Sequence, residues 1–330
     1  MKRLSFLVVG TPRSGTTLTQ RICCELPRVA MPPETHFLHL LAPDLLVRRR
    51  FPLTPEDVAA ELDRFAALPT SAGLRLEPAR VLDLIGPRCD RLIDLFSAVV
   101  TALRPRLTDD AALYGEKLYG EKTPEHLLWW RAMTAADPEL KVVGVVRDPR
   151  AVAASHRAVP WGIGDVAELA AEWAFDQRRM LAARHWLGPE RCLVLRYEDI
   201  VADPVAARLR LARFLGVPFR DANRTAAAAP PIVRPIVQGW EWWKARALEP
   251  VTTERREAWH GALSADEAVR VADVAGPEMA AFGYLPAPPA CGSRHVPGAR
   301  RLAARLARMR DLESLPAVSA PRPSYRAGDR

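Results

Sequence analysis

The stretch Phe6-Leu-Val-Val-Gly10-Thr-Pro-Arg13-Ser14-Gly15-Thr16-Thr17 limits what this chain can fold into. Phe6 to Val9 has the length and the Val/Leu content of a buried strand. It breaks at Gly10 into a loop ending at Gly15-Thr16-Thr17, and Leu18 to Leu26 reads as a helix. Strand, glycine-bearing loop and helix in this order hold an anionic group, because loop amides and the positive helix N-terminus converge on one point. The spacing Gly10-x4-Gly15-Thr16-Thr17 nearly fits the nucleoside-triphosphate P-loop, which needs Lys where Thr16 stands. Here the cation has moved to Arg13. A Mg-bound β,γ-pyrophosphate needs that Lys, so an ATPase or kinase is disfavoured while a phosphate-like ester still suits the loop.

The rest of the chain alternates helices with short apolar runs. Lys141 to Val146 and Arg191 to Leu195 read as strands, Asp165 to Leu187 and Val205 to Leu215 as helices, and Ser264 opens a last helix closing near Phe282. This alternation predicts an α/β fold with a P-loop-like parallel sheet flanked by helices. Residues 41–110 lack strand signals. Thr54-Pro55-Glu56-Asp57 is a helix start, with Leu62, Phe65 and Leu68 at helical spacing, and a second helical stretch, 78–103, is interrupted at Gly86-Pro87. We expect one domain over 1–285, with 41–110 a helical insertion on the substrate side.

Composition narrows the class. The 330 residues are 49% apolar, enough to fill a core, and no apolar run approaches a membrane span. Met1-Lys-Arg-Leu-Ser-Phe-Leu-Val-Val imitates a signal peptide, but its apolar part is short and runs into the anion loop, so it reads as a first strand of a cytoplasmic protein. Cys23, Cys24, Cys89, Cys192 and Cys291 are odd in number with no C-x-x-C, which argues against a disulfide framework or a zinc site. The net charge of +8 suggests a polyanion partner until it is located. Residues 291–330 carry nine Arg against Asp311, Glu313 and Asp329 and supply +6, so a basic face for nucleic acid is not expected on the body. Pro286 to Pro297 reads as a linker. Arg300 to Leu315 is a short helix candidate able to make peripheral contact, and Pro316 to Arg330 is expected to be disordered. Nothing in the sequence sets an oligomeric state.

Several residues carry candidate chemistry. Pro32-Pro33 stop any helix and present Glu34 and His36 from an extended segment, one element beyond the anion loop, where a general base belongs. Tyr-Gly-Glu-Lys occurs twice, at Tyr114 and Tyr119, and the second copy continues as Glu121-Lys122-Thr123-Pro124. That reads as strand end, cap and first helical residue, with Lys122 pointing into the crevice where open α/β sheets bind ligands. The strand ending at Val146 leads into Arg147-Asp148-Pro149, and Ser155 lies on the following helix eight residues beyond Arg147. An Arg at a strand end and a Ser on the next helix grip one phosphate from two sides. Arg147 also stands where a Walker B strand would place Asp, which again disfavours a kinase. Tyr197-Glu198-Asp199 follows the next strand. Trp240, Trp242, Trp243 and Lys244 form an aromatic cluster leading to Pro250-Val-Thr252-Thr253-Glu-Arg255-Arg256-Glu257-Ala258-Trp259.

Taken together, Arg13-Ser-Gly-Thr-Thr, Glu121-Lys-Thr-Pro, Arg147 with Ser155, and Tyr197-Glu-Asp resemble the cytosolic, tyrosylprotein and glycan sulfotransferase superfamily over roughly 4–285. The resemblance implies 3′-phosphoadenosine 5′-phosphosulfate (PAPS) as co-substrate, no metal, and a hydroxyl-bearing acceptor: small molecule, lipid, glycan or tyrosine. It implies that Arg13, Ser14, Gly15, Thr16 and Thr17 hold the 5′-phosphosulfate, that Arg147 and Ser155 hold the 3′-phosphate, and that Tyr197 lies near the adenosine. Glu34-Thr35-His36 is similar to the segment carrying the glutamate base, and Lys122 to the lysine of a Lys-Asp-Pro or Lys-Thr-Pro segment. Many relatives carry a Gly-Arg-Trp type turn where Glu257-Ala258-Trp259 stands here, so which of Thr252, Thr253, Arg255 and Arg256 completes the 3′-phosphate pocket stays open. In the implied reaction Glu34 or His36 takes the acceptor proton, while Arg13, Lys122 and the loop amides stabilise charge on the transferred group. The alternatives are a P-loop small-molecule kinase and a nucleotide-binding regulator without chemistry.

Overall fold

The structure, a computed structural model, describes residues 3–47, 51–71, 73–103, 118–219 and 236–285. Its centre is strand β1 (Leu4–Gly10), which leads through residues 11–15 into helix α1 (Thr16–Cys24). β1 pairs in parallel with β3 (Leu118–Lys122) on one side and β4 (Lys141–Val146) on the other. The two-residue β2 (Val29–Ala30) and β5 (Cys192–Arg196) complete a five-stranded parallel sheet in the order β2-β3-β1-β4-β5. The expected class is therefore the observed one. β2 had no sequence signal, because two residues carry no periodicity.

Alternation along β1 explains the two faces. Leu7 and Val9 enter one core, which also holds Trp173, Met180 and Phe96, while Phe6 and Val8 enter the other with Ile22, Leu195 and Leu211. Helices α1, α9 (Tyr197–Ala202) and α10 (Pro204–Leu215) cover the second face. The first face is covered by α2 (Phe37–Val47), α3 (Pro55–Ala66), α5 (Leu92–Leu103), α8 (Val166–Arg191) and α11 (Ala265–Ala281). Shorter α4 (Pro78–Ile85), α6 (Trp130–Ala136) and α7 (Pro149–His156) complete the chain order.

The helix boundaries follow their caps. Thr54 and Asp57 form a reciprocal capping box with Pro55 at the first position, Ser264 and Glu267 form another, and Asp165 caps α8 by accepting from the Glu168 amide at 2.7 Å. The stop expected at Gly188-Pro189 is a kink: Gly188 has φ 68° and ψ 176°, after which the helix resumes to Arg191. α2 starts at Phe37, earlier than the extended segment expected through Leu38, because His36 turns the chain with φ 53° and Thr35 Oγ1 accepts from the Phe37 amide at 3.3 Å. The first Tyr-Gly-Glu-Lys copy, and the linker, helix candidate and tail expected beyond Leu285, lie outside the described residues. No helix among the described residues is long and apolar enough to cross a membrane.

Candidate active site

Most of the candidate chemistry meets at the carboxyl ends of β1, β3 and β4, where parallel sheets place ligand crevices. The glycines allow the loop to close on its neighbours. A Cβ on Gly10 would lie 2.3 Å from the Val145 carbonyl oxygen, and one on Gly15, whose φ is 95°, would lie 2.4 Å from the Tyr197 ring. Arg13, at φ 71°, is held out of the loop. Its Nε donates to Ser155 Oγ at 3.1 Å and its Nη2 to the Trp243 carbonyl at 3.3 Å. Burial and the nearby Arg147 lower its pKa to about 10, which leaves it cationic at neutral pH.

Arg147 leaves the end of β4 into the same space. It donates to the carbonyls of Arg13, at 3.1 Å, and Arg255, at 2.9 Å, and lies 4.3 Å over the Tyr197 ring. The buried Trp173 fixes this strand end by donating to the Arg147 carbonyl at 2.9 Å. Ser14 Oγ and Arg147 Nε are buried without a hydrogen-bond partner among the described residues, and buried polar groups of this kind are uncommon unless a ligand or water completes them.

One element away lies a charge cluster. Lys122 and Lys244 both reach Glu34: Lys122 contacts Oε1, and Lys244 Nζ is 2.6 Å from Oε2. His36 Nε2 is 3.3 Å from the same Oε2, and Lys244 also pairs with Glu241. Burial alone would push Glu34 up, but Lys122, Lys244 and His36 outweigh it and hold the carboxyl well below the usual range. Burial pulls His36 down, and its bond to Glu34 more than reverses this, so its pKa is raised. Glu34, His36 and Glu241 offer ligand atoms within 4.8 Å of one another, as a metal site would. The two ammonium groups already supply the positive charge there, which makes this donor set a poor one for a cation.

The buried Glu121 positions this cluster. It accepts from the Thr35 amide at 3.2 Å, Thr35 Oγ1 at 2.8 Å, Thr123 Oγ1 at 2.6 Å and His126 Nδ1 at 2.7 Å. His126 Nε2 accepts from the Leu38 amide at 3.1 Å, which leaves Nδ1 as the donor, and Thr123 Oγ1 in turn accepts from the His36 amide at 3.2 Å. Burial would raise the Glu121 pKa, yet His126 and the two threonines bring it below the ordinary carboxylate range. A carboxylate depressed on folding stabilises above its unfolded pKa and loses that contribution as pH falls through the folded value. Glu121→Gln should therefore lower unfolding free energy by about 3 kcal/mol at neutral pH. The gap from wild type, measured by urea unfolding, should shrink below pH 4.5.

A cavity of about 530 Å³ joins these parts. Arg13, Gly15, Thr16 and Thr17 line it, with Arg147, Ser155 and Tyr197, and so do Glu34 and His36, with Lys122 bridging Glu34 to Thr17. Of the four residues left open near the chain end, Thr252 and Arg255 line it, whereas Thr253 and Arg256 are exposed outside the lining. Ser14 and Lys122 lie behind the wall, fully buried, and Lys122 Nζ is 3.2 Å from Thr17 Oγ1. Trp161, Trp240 and Trp243 form an aromatic wall, and Trp259 instead packs outside on Arg150, 4.2 Å from its guanidinium. Sequence reasoning named Lys244 only as part of the Trp-rich cluster, without a role, and missed Glu241, for which that run gave no signal.

Comparisons with known proteins agree with this geometry. The sulfotransferase family model matches residues 5–221. A protein-tyrosine sulfotransferase of Drosophila melanogaster is 25% identical over 284 residues, covering 84% of this chain and 51% of its own length. A putative protein-tyrosine sulfotransferase of Caenorhabditis elegans is 24% identical over 170 residues, covering 49% of this chain and 64% of its own. The chain thus spans half to two thirds of the curated relatives it matches. Among solved structures, a sulfotransferase domain from the curacin biosynthetic pathway superposes with TM-score 0.50 at 18% identity, covering 82% of this chain and 97% of that one, which supports the fold. The loop, the sheet and the match over most of the described domain place the chain in the sulfotransferase family.

Proposed function

We propose that this chain transfers a sulfuryl group from PAPS to an acceptor hydroxyl, releasing adenosine 3′,5′-bisphosphate. The observation that carries the reading is one cavity lined both by the anion loop with Arg147 and by Glu34 with His36. The unpartnered Arg147 Nε fits the group, since Arg147 lines the cavity where the 3′-phosphate would be gripped, while Ser14 is buried within the loop that would hold the 5′-phosphosulfate. Ser155, Thr252 and Arg255 complete that grip in this reading, and Tyr197 packs beside the adenosine. Thr253 and Arg256 are exposed outside the cavity lining and are given no contact in this reading. PAPS brings a sulfur bonded to a good leaving group.

The residues do the rest. Glu34 accepts the acceptor's hydroxyl proton as its oxygen bonds to sulfur and the sulfur–phosphate oxygen bond breaks with its electron pair on the departing phosphate. A carboxylate held by two lysines is a weak base, which needs an explanation. Lys122 bridges Glu34 and Thr17, so charge building on the sulfuryl and leaving oxygens draws Lys122 toward the loop, and Glu34 gains basicity as the proton becomes acidic. His36, bonded to the same carboxylate, orients it and shares the proton. Arg13 and the loop amides stabilise the remaining negative charge.

The tryptophan wall suits an acceptor with an apolar body, and a peptide tyrosine satisfies this as well as a phenol or lipid does. The free cysteines 23, 24, 89 and 192 support our cytoplasmic reading. The test is transfer of radiolabelled sulfur from PAPS to a fractionated extract in EDTA, beside Mg-ATP with labelled γ-phosphate. Label from PAPS alone supports the proposal. Label from ATP alone would favour a kinase, and label from neither a regulator.

A further inference from the structure

Glu34 is held between two lysines from different elements, and of the two it is Lys122 whose ammonium bonds to the anion loop. Lys122, from the end of β3, is shared with Thr17 of the anion loop. Lys244 comes from the short helical turn Trp242–Leu248, which packs on α1, and its ammonium is shared with Glu241 rather than with the anion loop. We propose that Lys244 is a positioning residue for proton transfer, holding Glu34 ionised and aimed while Lys122 turns to the departing group. The inference rests on Glu34 being the proton acceptor.

Burial of the carboxylate forces the issue. An unpaired charge here would face a desolvation penalty of several kcal/mol. Whatever attraction Lys122 lends to the sulfuryl oxygens is withdrawn from Glu34, and a second cation is needed to keep the carboxylate in place. Lys244 is buried, at 9% exposure, so its charge is little screened. Glu241 balances it: two carboxylates face two ammonium groups, and the cluster is neutral before His36 is counted. Glu241 is itself fixed by the Gln238 amide at 2.8 Å, and Gln238 Nε2 donates to the carbonyls of Thr70, at 2.9 Å, and Glu34, at 3.4 Å. Trp243, beside Lys244, takes the hydrogen bond from Arg13. One segment, 238–244, therefore braces the base, its backbone and the donor arginine together.

The charged groups facing Glu34 are Lys122 from β3, Lys244 and Glu241 from this segment, His36 from its own, and Arg13 from the loop. Lys244 lowers the pKa of both Glu34 and His36, so its removal must raise both. In Lys244→Met, adenosine 3′,5′-bisphosphate affinity should stay within about threefold of wild type. The kcat at pH 7 should fall at least about tenfold. The acid limb of the kcat–pH profile and the His36 titration followed by NMR should both move upward. Lys244→Arg should restore most of kcat and the acid limb. The double variant Glu241→Gln/Lys244→Met keeps the cluster neutral if the single one folds poorly, and should still lose kcat. An unmoved His36 titration, or a fall in kcat with an unmoved acid limb, would overturn the proposal. Wild-type protein that transfers no sulfuryl group would instead overturn the function on which it rests, while the His36 titration would still report whether Lys244 acts on this cluster.

Discussion

Glu34→Gln is expected to reduce kcat at least roughly a hundredfold, the ordinary scale for loss of a general base. Gln keeps the shape of the side chain and one acceptor oxygen, which serves one of the two lysines, while Lys122 keeps Thr17 and Lys244 keeps Glu241 as further partners. What disappears is the site for the proton. Affinity for adenosine 3′,5′-bisphosphate should not weaken, because Glu34 sits at the acceptor end and its negative charge opposes a bound anion. Stopped assays at saturating PAPS, with calorimetric titration of the product nucleotide, separate the two effects. Near-normal turnover would remove Glu34 from its role and direct attention to His36, 3.3 Å away.

The second large effect is on binding. Arg147→Ala should weaken adenosine 3′,5′-bisphosphate by about a hundredfold, since hydrogen bonds to charged groups contribute about 1.5–3 kcal/mol. kcat at saturating donor should change less. Arg147 also supports the carbonyls of Arg13 and Arg255, so part of the loss comes through the loop. Arg147→Lys tests for that: it keeps the charge but loses the planar fork, and should fall between the two. Unchanged nucleotide affinity in Arg147→Ala would exclude its phosphate role.

How legible all this was depended on whether local chain geometry or distant packing set the position. Arg13 to Thr17, Lys122 and Arg147 each sit at a strand end, and strand ends are written in the sequence as apolar runs that stop. Their convergence at one crevice follows from parallel pairing alone. Glu121 was read only as part of a Glu-Lys-Thr-Pro run, because its role depends on Thr35, 86 residues earlier. Lys244 and Glu241 lie in a segment without regular periodicity, and a buried lysine looks in sequence like any other. The sequence also suggested two separate cationic grips. In the fold Arg13 bonds to Ser155 and receives Arg147 on its carbonyl, so the two are one connected unit.

The central claim is that this cavity recognises an adenine nucleotide by two anionic ends and without metal. Titration calorimetry of adenosine 3′,5′-bisphosphate in EDTA tests it most directly, with adenosine 5′-monophosphate as comparison. The account predicts binding at about micromolar or tighter for the bisphosphate, and at least about tenfold weaker for the monophosphate, which lacks the group for Arg147. Equal affinity for the two, or binding of the bisphosphate only when Mg is added, would contradict it.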